Sequence, residues 1–186
     1  MSYISKIQYS IPNTLCKDII DMFEDESVKL EEGIKTFDIP HSDDPLSKWF
    51  QIENFLLYEI NLNLNNYINE INKPFNNSLN ELLFPKNTQL QCGNFTIKKY
   101  FANTGKNVYC SDSLIDINSN RFITYRWYLN DVEDGGEIEF WNNDKIIPEK
   151  GKLILFPANW CFPYKDNIPI SRNKYIITGW FYFKIK

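Results

Sequence analysis

A chain of 186 residues has the size of one domain and is long enough to bury a sizeable core. Its formal net charge of −4 and its lack of a basic run remove the electrostatic argument for a nucleic-acid partner. No apolar run is long enough to span a bilayer, and residues 1–12 lack the apolar core of a signal peptide. We therefore expect an intracellular domain without a membrane partner.

The chain begins with a predicted strand and a short helix. Residues 3–9 place apolar side chains in a short run that predicts the first strand. A helix is predicted to follow, with Asn13 or Thr14 as its N-cap. The apolar residues that share one face of this helix are Leu15, Ile19, Met22 and Phe23. The acidic residues of 24–32 are predicted to form a solvated helix end and a loop.

The next stretch, residues 33–46, is predicted to be irregular because it contains Pro40 and Pro45. It also holds His41, the only histidine of the chain. His41 stands beside Ser42, Asp43 and Asp44, a run that can resemble a metal cluster. Histidine metal sites usually draw their ligands from converging elements, so we interpret this segment as a surface loop.

A long helix is predicted over residues 47–72. Its apolar residues recur at spacings of three and four, namely Ile52, Leu56, Ile60, Leu64, Tyr67 and Ile71. A short apolar piece follows at residues 79–84. We expect one domain over residues 1–186, in which residues 1–87 supply helical support plus the first strand and residues 88–186 form a β core.

From residue 90 onward, short strands alternate with turns. Residues 121–129 alternate strictly, with Phe122, Thr124, Arg126 and Tyr128 on one face and Ile123, Tyr125, Trp127 and Leu129 on the other. The remaining signals are turns at 134–136 and 150–151 and strands at 137–140, 153–156 and 174–183. This pattern predicts a sandwich or jelly roll. It does not decide whether Arg126 faces an interior cavity, because that depends on the sheet register.

Three motifs of this β region occur in a specific order. They read YLNDVEDGGEIEF at 128–140, PEKGKLILFPANW at 148–160 and SRNKYIITGW at 171–180. Over residues 95–183 the chain resembles the 2-oxoglutarate/Fe(II) dioxygenases, in their prolyl 4-hydroxylase-like branch. The resemblance implies a mainly β, α+β fold: a double-stranded β-helix, or jelly roll, with N-terminal helices packed on one sheet.

The resembled family binds Fe(II) through a His-x-Asp/Glu pair and a distal histidine, and a basic residue ten places later anchors 2-oxoglutarate. At the matching positions this chain has Cys110, Asp112, Tyr164 and Lys174. The carboxylate and the anchor are therefore retained, whereas both imidazoles are missing. A phenol and a thiol must lose a proton to become good ligands, with pKa values near ~10 and ~8.5 respectively.

This departure favours a protein that has lost the iron site and serves as a binding or structural protein. Such a protein would need no cofactor and would act through a protein partner or an assembly. The bias toward Asn, Ile and Lys, with alanine only at positions 102 and 158, is typical of an AT-rich cellular or viral genome. A virus-particle component is therefore included in the hypothesis.

Two other functions remain open from the sequence. An active oxygenase would use Asp112 with Cys110 or Tyr164 as iron ligands, bind 2-oxoglutarate on Lys174, and hydroxylate a peptidyl or small-molecule substrate. Alternatively, Cys110, Asp112 and Cys161 would approach one another and hold zinc, although the spacing lacks a close ligand pair.

The same positions also have purely structural interpretations. Asp112 would be a residual acid, hydrogen-bonded near Tyr109 or Ser111. Lys174 would pair with a sheet neighbour instead of anchoring a dicarboxylate.

Overall fold

The computed structural model describes residues 3–26, 29–31, 33–75, 88–112 and 120–185. Its helices are α1 (Asn13–Asp25) and α2 (Lys48–Asn72), and α2 continues into a 3₁₀ turn, Lys73–Phe75. Its strands are β1 (Ser5–Ile7), β2 (Lys29–Glu31), β3 (Ile34–Asp38), β4 (Thr88–Cys92), β5 (Thr96–Tyr100), β6 (Arg121–Tyr128), β7 (Ile138–Phe140), β8 (Lys145–Ile146), β9 (Leu153–Pro157), β10 (Tyr164–Asp166) and β11 (Lys174–Ile185).

The strands form two antiparallel sheets. The large sheet has eight described strands in the order β1-β9-β6-β11-β5-β3-β2, with β4 paired to the C-terminal part of β11. The small sheet has the order β10-β7-β8. Helices α1 and α2 pack on the large sheet, because their buried residues share one hydrophobic cluster with it. The expectation of a mainly β fold with N-terminal helices on one sheet is confirmed.

Helix α2 follows the predicted apolar stripe, and all six residues of that stripe are buried. Three asparagine side-chain amides on this helix donate to the carbonyl oxygen four residues earlier; they are Asn54, Asn61 and Asn63. These local bonds occupy the amides, but packing of the apolar stripe holds the helix on the sheet. None of the helices that the structure describes has the length and hydropathy needed to cross a membrane.

The N-terminal region differs from prediction in three respects: the N-cap of α1, the strand at 29–31 within the predicted loop of 24–32, and the strand at 34–38. The N-cap of α1 is Pro12, with no side-chain cap bond, whereas Asn13 is the first helical residue. The ring of Pro12 restricts its φ, so the helix begins there without a polar capping side chain. Residues 34–38 are also not irregular, since β3 pairs with β5, and Lys29–Glu31 pairs with β3. The apolar piece predicted at 79–84 lies outside the described residues.

Strand β6 separates two interiors. The side chains of Ile123, Tyr125 and Trp127 face the helices, in a helix-side core that also includes Phe23, Leu56, Ile60, Ile97, Leu155 and Ile177. Between the two sheets lies a second cluster, the inter-sheet core, made of Ile4, Tyr128, Ile138, Phe140, Ile146, Ile154, Phe156, Tyr164 and Ile176. The candidate site lies on this second side, where Thr124 and Arg126 are also buried.

Candidate functional site

Asp112 is the acidic residue of the site, and its side chain is only 2 % exposed. Thr124 Oγ1 on β6 donates to Asp112 Oδ2 at 2.6 Å. Tyr164 Oη on β10 donates to Asp112 Oδ1 at 3.1 Å. Both carboxylate oxygens therefore accept hydrogen bonds from neutral hydroxyls. Tyr109, one of the two expected partners of Asp112, donates instead to Glu139 at 3.1 Å.

Cys110 and Tyr164 are held opposite each other by an isolated antiparallel bridge. The Cys110 N–H donates to Tyr164 O at 2.8 Å, and the Tyr164 N–H donates to Cys110 O at 2.9 Å. Burial and the Asp112 charge raise the pKa of Tyr164 well above its usual range. Burial, followed by the charges of Asp112 and Asp166, also raises the pKa of the Cys110 thiol. Both side chains are therefore protonated and neutral near pH 7.

The Tyr164 ring fills the space between the sheets. Its centroid lies 5.3 Å from that of Phe156 in an edge-on arrangement, and 6.3 Å from that of Phe140. The guanidinium carbon of Arg126 lies 5.3 Å from the same ring centroid. Aromatic packing and a cation–π contact thus position the hydroxyl that reaches Asp112.

Lys174 begins β11 and is 0 % exposed. Its ammonium donates to Asp166 Oδ1 at 2.8 Å and to the carbonyl oxygen of Gly136 at 2.9 Å. Gly136 has φ +73°, a turn conformation that favours glycine. The ammonium also lies 4.4 Å from the ring centroid of Tyr100. In the structure Lys174 forms an ion pair with Asp166 of the facing sheet, and not with a neighbour in its own sheet.

Arg126 points between the sheets, which answers the question that the sequence left open. Its Nη1 donates to Asp166 Oδ1 at 2.6 Å. Arg126 and Lys174 thus converge on one carboxylate oxygen. Burial by itself would raise the pKa of Asp166, but the two positive charges hold it below its usual range. Burial lowers the pKa of Lys174, and Asp166 only partly opposes this shift.

Sequence reasoning missed Asp166 and Thr124. A signal for each was present, because a strand places every second residue on the same face. Asp166 follows Tyr164 by two positions, and Thr124 precedes Arg126 by two. Neither signal could be used without knowing which strands face each other across the sandwich.

Two other candidate metal positions do not join this cluster. Cys161 is exposed, so the proposed zinc set of Cys110, Asp112 and Cys161 is wrong. Within the described ranges, no group of three or more His, Cys, Asp or Glu side chains could hold a metal ion. His41 is exposed in its loop, with Nδ1 at 3.2 Å from the Glu53 carboxylate.

The residues present do not fit Fe(II) and 2-oxoglutarate. Fe(II) in such sites prefers two neutral imidazoles and a carboxylate, whereas this chain offers a protonated phenol, a protonated thiol and Asp112. The carboxylate that the resemblance would place on Lys174 is already supplied by Asp166. Side chains of the protein therefore occupy both the position beside Asp112, where iron would bind, and the position on Lys174, where 2-oxoglutarate would bind.

Comparison with known proteins supports the fold. The sequence model of the 2OG-Fe(II) oxygenase superfamily matches residues 100–182, while no curated protein sequence matches the chain. A viral collagen prolyl hydroxylase from Paramecium bursaria Chlorella virus-1, solved with 2OG, is 14 % identical with a TM-score of 0.66, covering 97 % of this chain and 96 % of that one.

Cellular prolyl hydroxylases are similar to a comparable degree. A prolyl-4-hydroxylase from Pseudomonas putida is 16 % identical with a TM-score of 0.63, covering 96 % of this chain and 92 % of that one. A Trichoplax adhaerens prolyl hydroxylase, solved with a hypoxia inducible factor peptide, is 17 % identical with a TM-score of 0.63, covering 96 % and 83 %. The predicted double-stranded β-helix is confirmed. Residues 100–182 are thus similar to the 2OG-Fe(II) oxygenase superfamily, and the chain has the prolyl 4-hydroxylase-like fold.

Proposed function

We propose that this chain is a non-catalytic 2OG-Fe(II) oxygenase that uses the scaffold as a binding or structural protein. One observation carries the proposal: both oxygens of Asp112 accept hydrogen bonds, from Thr124 and from Tyr164. Iron binding would have to displace the Tyr164 hydroxyl and remove a proton from Tyr164 or Cys110. Because the pKa of each is raised, this deprotonation is harder than in water.

The proposal is tested by anaerobic titration of the metal-free protein with Fe(II), with and without 2-oxoglutarate. Bound metal and the metal-to-ligand charge-transfer absorption are measured. We expect neither stoichiometric iron nor the absorption band. Turnover of 2-oxoglutarate by the purified protein with Fe(II) would contradict the proposal.

A variant with both histidines restored tests whether the chain lacks only the imidazole ligands. The double change Cys110→His and Tyr164→His restores two imidazoles beside Asp112. We expect this variant to bind Fe(II) that the native chain does not bind. The matched control adds Asp112→Ala, which removes the carboxylate and should abolish the acquired binding. Iron binding that is unaffected by Asp112→Ala would place the metal elsewhere.

The alternative, an active oxygenase with an unusual ligand set, is supported only by the retained Asp112 and Lys174. In that case the native protein would turn over 2-oxoglutarate, and Asp112→Ala and Lys174→Ala would each abolish turnover. The ion pair of Lys174 with Asp166 argues against it, because the anchoring ammonium already has a carboxylate.

We further propose that the partner is a protein or an assembly, within a cell or a virus particle. One structural neighbour is a viral protein, which motivates the second location. Sedimentation velocity of the purified chain over a hundredfold concentration range tests self-assembly. A single monomer species at every concentration would leave a separate protein partner as the remaining form of this proposal.

A further inference from the structure

Strand β10 supplies the two side chains that contact Asp112, Arg126 and Lys174 in the candidate site. Tyr164 and Asp166 stand at the two ends of β10, and the period of two places them on the same face. Lys165, between them, points the other way and pairs with Glu139 at 3.0 Å. Tyr164 reaches Asp112, while Asp166 reaches Arg126 and Lys174.

The two cations that meet Asp166 have the geometry of a carboxylate-binding site. Arg126 and Lys174 are both buried, and each approaches Oδ1, at 2.6 and 2.8 Å. Buried charges need a paired, hydrogen-bonded partner, and a carboxylate is the anion that suits a guanidinium and an ammonium together. Lys98 is a third basic residue on the same side. Burial lowers the pKa of Lys98, and the positive charge of Arg126 lowers it further.

The Asp166 side chain is partly accessible, at 17 %, although the cations behind it are buried. Its carboxylate lies against the two buried cations, as a bound anion would. Asp166 is part of a strand only three residues long, and that strand is an edge strand of the small sheet. Changing its side chain therefore removes a carboxylate without removing a residue from the helix-side core.

We infer that Asp166 is an internal substitute for a free carboxylate ligand: it occupies the anion site made by Arg126 and Lys174, and its removal uncovers a site for a small carboxylate. The inference rests on the proposed function, since both hold that the native site takes no 2-oxoglutarate. It goes further by assigning the exclusion to one side chain and by naming the chemical class that this side chain replaces.

The test uses Asp166→Ala with formate as the probe. Alanine keeps Cβ and removes a carboxylate of the same size as formate, so the probe matches the missing group. Unfolding midpoints of the native chain and of the variant are measured in sodium formate and in sodium chloride at equal ionic strength. Binding of ¹³C-formate is followed by NMR titration.

We expect a saturable rise in the midpoint of Asp166→Ala in formate, roughly 5–10 °C at a concentration a hundredfold above its Kd. The matched control is Asp166→Asn, which removes the charge but leaves no room for the probe. The native chain and Asp166→Asn should respond equally to formate and chloride. An equal response of Asp166→Ala to both salts, or a native chain that binds formate as tightly as the variant, would overturn the inference.

If Asp166→Ala does not fold in chloride, its refolding is compared in sodium formate and in sodium chloride at equal ionic strength. Formate would supply the carboxylate that Arg126 and Lys174 lose, so folding that is recovered only in formate supports the inference. Equal failure to fold in both salts overturns it. If the formate tests fail while the native chain binds neither iron nor 2-oxoglutarate, the inference is wrong and the proposed function is retained. Binding of 2-oxoglutarate by the native chain would overturn both.

Discussion

The two faces of β6 border interiors of opposite character. On the helix side, Tyr125 and Trp127 pack against helices and strands in an apolar, aromatic core. On the inter-sheet side, Thr124 and Arg126 are equally buried but form hydrogen bonds and an ion pair. Residues that alternate along one strand therefore serve two different kinds of stabilisation.

This contrast implies that the residues of the polar interior can change without loss of the fold. The helix-side core depends on buried apolar area, which is non-directional and tolerates many sequences. The polar interior depends on complete pairing, because an unpaired buried charge is costly. Tyr164 and Asp166 supply partners for Asp112, Arg126 and Lys174 from the chain itself.

The largest expected effect is on the helix side. Trp127→Ala should lower the free energy of unfolding by about 4 kcal/mol, because it leaves a large cavity in a close-packed core. It also removes the hydrogen bond of 3.0 Å from Trp127 Nε1 to Ser10 Oγ. The measurement is urea denaturation. Trp160→Ala, at a side chain 72 % exposed, is the matched control and should change the stability by less than about 0.5 kcal/mol.

The next effect tests whether the polar side depends on pairing. Asp166→Asn should cost about 3 kcal/mol of unfolding free energy, since it leaves two buried cations facing a neutral amide. Asp144→Asn removes a more exposed acid, 3.6 Å from Lys6, and should cost less than about 0.5 kcal/mol. Equal losses in the two variants would mean that the Asp166 network contributes no more than a surface ion pair.

A smaller loss of unfolding free energy is expected for a change at Tyr164, the other end of β10. Tyr164→Phe keeps the ring that packs on Phe156 and removes the hydroxyl that donates to Asp112. The loss should be about 2 kcal/mol, the usual range for a buried hydrogen bond to a charged group. Tyr109→Phe, which removes a more exposed hydroxyl from Glu139, should cost less than half as much. The reverse order would show that the inter-sheet hydroxyl is not important for stability.

The smallest effect is the dependence of stability on pH. The pKa of Asp166 is lowered in the folded state, so its contribution is full above the unfolded pKa, near ~3.9, and is lost as the pH falls through the folded pKa. Between pH 5 and pH 3 the native chain should lose about 1 kcal/mol more than Asp166→Asn. Parallel stability curves for the two proteins over this range would contradict the assignment.

Local periodicity predicted the elements that depend on one segment alone. The stripe of α2 and the alternation of β6 were both correct, because each records which face of a single element is buried. Strand β3 was missed because its residues are mostly half-buried on both faces, and its pairing with β5 is non-local. The N-cap of α1 was missed because Pro12 starts the helix without a side-chain bond.

The sequence by itself determined the resemblance to the 2-oxoglutarate/Fe(II) dioxygenases, the strand positions in the motif region and the absence of both imidazoles, since these depend on residue identity and spacing. Only the tertiary structure decided which side chains meet Asp112, Arg126 and Lys174. Asp166 lies 40 residues from Arg126 and 8 from Lys174 along the chain, and they meet because β6, β10 and β11 lie in two facing sheets. Pairing between buried charges depends on distances across the sandwich, which no local pattern records.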